Sequence, residues 1–213
     1  MEDFQQDFGP FEGRIWMNCA HQGPLPRVAA EAAREGITWK VAPYKMTQER
    51  FDGVPARLKE VLARLVGATT DEIVLGNSAS YGLHLLANGI PWRAGDEVLV
   101  VDGDFPSDVL PWLGLERRGV IVRRLRPARP LPDPDELRQA IRQSSKGSGA
   151  GSPATRLFCT TWVHSFSGFA ADLAGLGAVC REEGVLLVAN TSQALGARTL
   201  DVGSVPVDAI VNV

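Results

Sequence analysis

"DEVLVVDGDFPSDVLPWLGLERRGVIVRRL", Asp96 to Leu125, holds two apolar runs on either side of a stretch of different character. "DEVLVVD" (Asp96–Asp102) reads as a buried strand, "SDVLPWLGLERRG" as a broken helix, and "VIVRRL" as a second strand. The strands are apolar throughout rather than alternating, which is the pattern of a parallel sheet covered on both faces. The same rhythm returns further on. Strand "TRLFCTTWV" is followed by helix "DLAGLGAVCREEG", strand "VLLVAN" and a last apolar run, "VDAIVNV".

The rest of the chain fits around these units. "PLPRVAAEAAREGITWK" and "TQERFDGVPARLKEVLARLVG" read as helices. "EIVLG" is a short apolar run before the helical "SYGLHLLANGI". "DPDELRQAIRQ" is a capped helix with Asp133 or Asp135 as N-cap and Pro134 in the first turn. "SSKGSGAGSPA" is expected to be a flexible surface excursion. The expected fold is α/β: a mostly parallel sheet with helices on both faces. Its strands include Glu97–Val101, Val120–Leu125, Leu157–Trp162 and Val185–Ala189. The expected division is an N-terminal helical segment, 1–70, and a larger domain, 71–213.

Composition narrows the function classes. The 213 residues are 45% hydrophobic with a net charge of −3, and acids and bases are interspersed. No basic patch points to nucleic acid, and no apolar run approaches the roughly 20 residues that span a bilayer. The N-terminus, "MEDFQQDFGPFEGR", lacks the features of a signal peptide. Cys19, Cys159 and Cys180 form neither a metal spacing nor a disulfide framework. They are read as small buried residues of a protein in a reducing cytoplasm. The chain ends at Val213 inside an apolar run, as expected of a fragment.

In parallel sheets ligands bind beyond the carboxyl ends of the strands, so the loops after Leu75, Asp102, Val163 and Val188 carry the functional reading. "GNSASYG" opens a helix with small residues, either an ordinary N-cap or a phosphate cradle. Phe105 either packs on its own sheet or covers a planar ligand ring. "HSFSG" offers Ser165 as a donor, with His164 a structural hydrogen-bonder. "VANTSQ" sets Asn190 and Gln193 three residues apart at a strand end, either a turn or a site. A phosphate cradle, an aromatic lid, a hydroxyl donor and an amide pair together suit a planar phosphorylated cofactor, with pyridoxal 5'-phosphate the candidate.

These motifs also resemble the class V aminotransferase superfamily of fold-type I pyridoxal-phosphate enzymes, which includes cysteine desulfurases and isopenicillin-N-epimerase-like proteins. "MNCAHQGPLPRVAAEA", "GNSASYGLHLLA", "DFPSDVLPW" and "VHSFSGFAADLAGLGAVCREEGVLLVANTSQALGARTLDV" carry the likeness in order. The resemblance implies that Ser78, Ala79 and Ser80 hold the phosphate and that Phe105 covers the ring. Ser165 then lies near the ring oxygen, and Gln193 bonds that oxygen or the imine. Asn190 falls where the family usually has Asp, paired to the pyridine nitrogen. His21 is read as a substrate-side residue or, equally, a surface one. The Schiff-base lysine is expected after Val213, and none of Lys40, Lys45, Lys59 and Lys146 follows a strand. The family's smaller C-terminal domain is absent from this stretch. The implied protein is a homodimeric lyase, epimerase or aminotransferase acting on an amino acid or related amine. The alternative is a non-catalytic truncated relative that binds or scaffolds.

Overall fold

The computed structural model describes residues 4–19, 21–145 and 155–213. Lys146 and most of the Gly/Ser stretch expected as an excursion lie outside the described residues. The chain forms two compact units, residues 1–59 and 60–213. In the first, α1 (Arg27–Val41) and most of α2 (Gln48–Val66) are the helices expected from their apolar patterning. α2 runs on into the second unit, where Ala63 and Val66 are buried. Among the described residues no helix is long and apolar enough to cross a membrane.

The second unit is built on five strands: β1 (Glu97–Val101), β2 (Ile121–Leu125), β3 (Thr155–Thr161), β4 (Leu186–Asn190) and β5 (Ala209–Val211). They lie in the order β2-β1-β3-β4-β5, and every pairing is parallel. β1 is buried at all five positions and alternates its side chains between two cores. Leu99 and Val101 meet α5 (Pro134–Ser145) and α6 (Leu173–Glu183) through Leu137, Ile141, Leu176 and Val179. Val98 and Val100 meet α3 (Ala79–Gly89) and α4 (Pro106–Leu113) through Leu83, Val109 and Trp112. Helices therefore cover both faces, as the uniform apolarity of the strands requires.

Two expected strands begin one residue late, for a shared reason. Gly119 and Gly184 end their helical segments in the left-handed region, at φ of 80° and 69°. The following amides turn back: Val120 N donates to Leu115 O at 3.3 Å and Val185 N to Cys180 O at 2.8 Å. Each first strand residue is spent closing a helix. The run "EIVLG" is a correction. Its first residue, Glu72, closes a 3-10 turn at Thr70–Glu72, and the run is not a strand, so the loop after Leu75 does not follow one; Val74 is 74% exposed, and no described strand pairs with it. α5 is capped as a reciprocal box: Asp133 Oδ1 accepts from Glu136 N at 2.9 Å and Glu136 Oε2 from Asp133 N at 3.0 Å.

The amino end of the sheet is fastened by an ion pair between buried Glu97 and half-buried Arg123. Glu97 accepts both Nε and Nη2 of Arg123 at 2.9 and 2.8 Å, Ser144 Oγ at 2.8 Å and Thr155 Oγ1 at 2.6 Å. Burial raises the Glu97 carboxyl, but these donors outweigh it and hold the group below its ordinary value.

α6 lies so close to the loop before β5 that a Cβ on Gly177 would fall on the carbonyl oxygen of Pro206. Backbone cannot yield there as a side chain would. Gly177→Ala is expected to destabilise the unit by about 1–3 kcal/mol, read from chemical denaturation. Gly114→Ala, with open space around it, serves as the control and stays within about 0.5 kcal/mol.

Candidate functional site at the carboxyl ends of the strands

After β1 the chain moves outward to β2, then returns to place β3 on the other side of β1. That reversal opens a crevice beyond the carboxyl ends of β1 and β3, the usual ligand position in such sheets. The loop after β1 carries Asp104 and Phe105; the loop after β3 carries His164 and Ser165. Asp104 joins the two. Its Oδ2 accepts from Thr161 N at 2.9 Å and its Oδ1 from Phe105 N at 2.8 Å. Burial pushes its carboxyl above the ordinary value against these two donors and His164.

The expected residues fall into two adjoining groups. Ser165 Oγ donates to Gln193 Oε1 at 3.2 Å, so the hydroxyl and amide read from separate motifs are neighbours. Phe105 does not pack down on its own sheet. It is 43% exposed and its ring stacks on Phe166 with centroids 6.4 Å apart. His164 completes this aromatic edge at 5.7 Å from Phe166, its ring held by Ser167 Oγ at 2.9 Å and facing Gly103 O at 3.3 Å. Phe166 had no place in the sequence reading, although its position between His164 and Ser167 is a signal of a loop aromatic with nothing to bury it.

The second group is the start of α3. Ser78 caps the helix by accepting from Tyr81 N at 3.1 Å. The amides of Ala79 and Ser80 are first-turn donors that the helix cannot pair internally. Ser78 and Ala79 line a cavity of about 560 Å³ whose far wall includes Val211 and Asn212 of the β5 end. Phe105, Ser165, Asn190 and Gln193 do not line that cavity. The two groups adjoin through Thr191, whose Oγ1 donates to Asn212 Oδ1 at 3.2 Å and whose N donates to Val211 O at 2.8 Å. His21 is exposed in the first unit, its N facing Asn18 O at 3.4 Å.

Asn190, the last residue of β4, is 3% exposed. Its Oδ1 accepts from Ser192 N at 3.0 Å and Ser192 Oγ at 2.7 Å. Ser192 N–H can only donate, so the oxygen of the amide must face it. The amide nitrogen therefore points the other way, and Nδ2 donates to Asp108 Oδ1 at 2.8 Å. Asp108, in the first turn of α4, is 1% exposed. Sequence reasoning passed over it, although an acid among Val109, Leu110, Pro111 and Trp112 is out of place in an apolar helix. Burial, and then the neighbouring charge of Asp104, push its carboxyl up to about 7 against the lowering effect of Asn190.

An acid whose pKa is higher folded than unfolded holds its proton more tightly in the native state. Its contribution is full below the unfolded pKa near 4 and is lost as pH rises toward about 7. Asp108→Asn removes that dependence. Its thermal midpoint should match the parent within about 2 °C at pH 4 and exceed it at pH 8. Scanning calorimetry across that range checks the direction; a variant less stable at pH 8 contradicts it.

Comparison with known proteins places this geometry. The family model for class-V aminotransferases matches residues 44–212. A probable cysteine desulfurase of Methanothermobacter thermautotrophicus is 28% identical over 97% of this chain and 50% of its own length. The isopenicillin N epimerase of Streptomyces clavuligerus is 30% identical over 90% of this chain and 47% of its own. The chain thus spans about half the length of the curated relatives it matches. Among solved structures, a C-DES variant with glycine covalently linked to its PLP cofactor superposes with a TM-score of 0.85. It is 22% identical, covering all of this chain and 55% of that one. The cysteine desulfurase CsdA of Escherichia coli gives 0.82 at 20% identity, covering 97% and 52%. The five-stranded parallel sheet with helices on both faces is the large-domain fold of these enzymes, and the chain belongs to the class-V aminotransferase family.

Proposed function

We propose that this chain supplies the cofactor-binding half of a pyridoxal-phosphate enzyme that acts on an amino acid or related amine by lyase, epimerase or aminotransferase chemistry. The family and its relatives indicate pyridoxal phosphate as the cofactor. The observation that carries the reading is the convergence of separate motifs at one end of the sheet: the Ser165–Gln193 pair, the Phe105–Phe166 edge and the α3 cradle.

The residues present fit the group. A phosphate ester suits the free amides of Ala79 and Ser80, together with the Ser80 hydroxyl, at the positive end of α3. The exposed face of Phe105 suits an aromatic ring. Ser165 and Gln193, already bonded to each other, hold a hydroxyl donor and an amide ready for a ring oxygen. Asn190 presents an amide at the strand end for the ring nitrogen, and a carboxyl-lined, low-dielectric floor lies beneath it in Asp104 and Asp108. When bound, pyridoxal phosphate withdraws electron density from the substrate's α-carbon. The protein's part is to bind the phosphate, clamp the ring and set the charge at its nitrogen.

The same reading assigns residues 1–70 to an N-terminal helical segment and 71–213 to the cofactor-binding domain, and it assigns His21 to the substrate side. A homodimer is supported by apolar side chains left in solvent: Val61, Val74, Leu85 and Leu110 are 45–74% exposed. A reducing compartment suits free thiols, two of them buried (Cys159 and Cys180) and one, Cys19, exposed.

The test is to express the complete gene product, load it with pyridoxal 5'-phosphate and measure retention and absorbance after gel filtration. Uptake is expected, and Ser80→Ala and Phe105→Ala should each weaken it by about 10-fold. No uptake by the complete product would overturn the reading. Uptake without turnover of any amino acid would assign the protein to binding rather than catalysis.

A further inference from the structure

The carboxyl end of the sheet buries two acids for which the described residues provide no lysine or arginine partner. Asp104 and Asp108 are both buried there, at 7% and 1% exposure. Among the described residues neither forms an ion pair with a lysine or arginine. Asp104 is fully hydrogen-bonded. Asp108 is not: Oδ1 is taken by Asn190, and Oδ2 is buried with no hydrogen-bond partner among the described residues.

Neither protonation state completes the site. Ionised, Asp108 leaves a buried charge and an orphan acceptor. Protonated, it leaves an orphan donor. Each is costly in a desolvated position. Elsewhere this fold resolves the same difficulty: Glu97, equally buried, is met by Arg123, Ser144 and Thr155. Asp108 has no such counter-charge among the described residues. Oδ2 is sealed from solvent, so a positive group bound at the strand end would meet this carboxyl only through a neighbour. The neighbour on the strand-end side is the Asn190 amide, whose second N–H is not used by Asp108 or Ser192.

We propose that Asp108 is a positioning residue of the cofactor's ring-nitrogen site: from α4 it fixes the Asn190 amide and places a carboxylate one side chain behind the ring nitrogen. The acid of this site sits on the helix, and the strand end carries its neutral partner. This rests on the reading above that Asn190 faces the ring. The titratable groups facing Asp108 are Asp104, from its own β1–α4 loop, and Cys159, from β3. β4 contributes the neutral Asn190, and His164 acts on Asp104 rather than Asp108. Cys159 stays a thiol, its pKa driven well up by burial and by Asp108. The charge that a ring nitrogen feels is therefore governed by Asp108 and, behind it, Asp104.

The experiment uses the complete gene product loaded with pyridoxal 5'-phosphate labelled with nitrogen-15 in the ring. The ring-nitrogen chemical shift is followed from pH 5 to 9. Asp108→Asn should lower the titration midpoint of that nitrogen by about one pH unit, since a charge at this range in a partly desolvated site acts with that strength. Asp108→Ser, neutral and smaller, should do the same if charge rather than shape is responsible. Moving the acid, as Asp108→Asn with Asn190→Asp, should restore or exceed the parent midpoint. Asn190→Ala should also move it. If Asn190→Ala moves the midpoint while both neutral variants at 108 leave it alone, Asp108 is structural only and the proposal fails alone. If Asn190→Ala also leaves it unmoved, the placement of the ring at Asn190 fails, and the proposal with it.

Discussion

β1 is buried at all five of its positions, and the rest of the second unit is organised by that constraint. Two faces and two edges must be filled. β2 and β3 take the edges in parallel, α3 and α4 one face, α5 and α6 the other. A parallel strand on each side of the first one forces the chain to reverse its direction of travel across the sheet. The crevice at the reversal is thus a consequence of burying β1, and the residues that follow β1 and β3 inherit it. Function is placed there by topology before any side chain is considered.

The two ends of this strand treat buried acids in opposite ways. Glu97 opens β1 and is met by four donor contacts, including both arms of Arg123. It closes the amino end and asks nothing of a ligand. Asp104 and Asp108 follow the other end, where among the described residues their hydrogen bonds come from backbone amides and Asn190 and neither pairs with a lysine or arginine. The contrast separates a carboxylate satisfied within the fold, Glu97, from one left with an unpartnered oxygen, Asp108.

Much of the fold was legible because its signals are one-dimensional. Apolar runs of strand length, Gly at the ends of helical segments and Asp133 before Pro134 each act locally. "EIVLG" was not legible, since a strand exists only if a neighbour pairs with it, and nothing in five residues announces the neighbour. The same limit applies at the site. Phe105, Ser165 and Gln193 could be singled out as candidates because each lies in a loop that follows a strand. Asp108 was passed over because it lies inside a helix, eighty-two residues from its partner Asn190. Only folding shows that these two side chains touch.

That contact also explains why an amide, and not an acid, ends β4. Asn190 has two tasks. Its oxygen accepts from Ser192 N and closes the turn after the strand, which Asp would do equally well. Its nitrogen donates to Asp108, which Asp in its ordinary ionised state cannot do. Two carboxyls at 2.8 Å in a dry site would have to share a proton. With an acid fixed on α4, position 190 needs a side chain of the shape of Asp that donates on one side and accepts on the other, and Asn alone has that form. "VANTSQ" is therefore a turn whose neutral residue answers the acid on another element, and in the proposed reading it is part of the site as well.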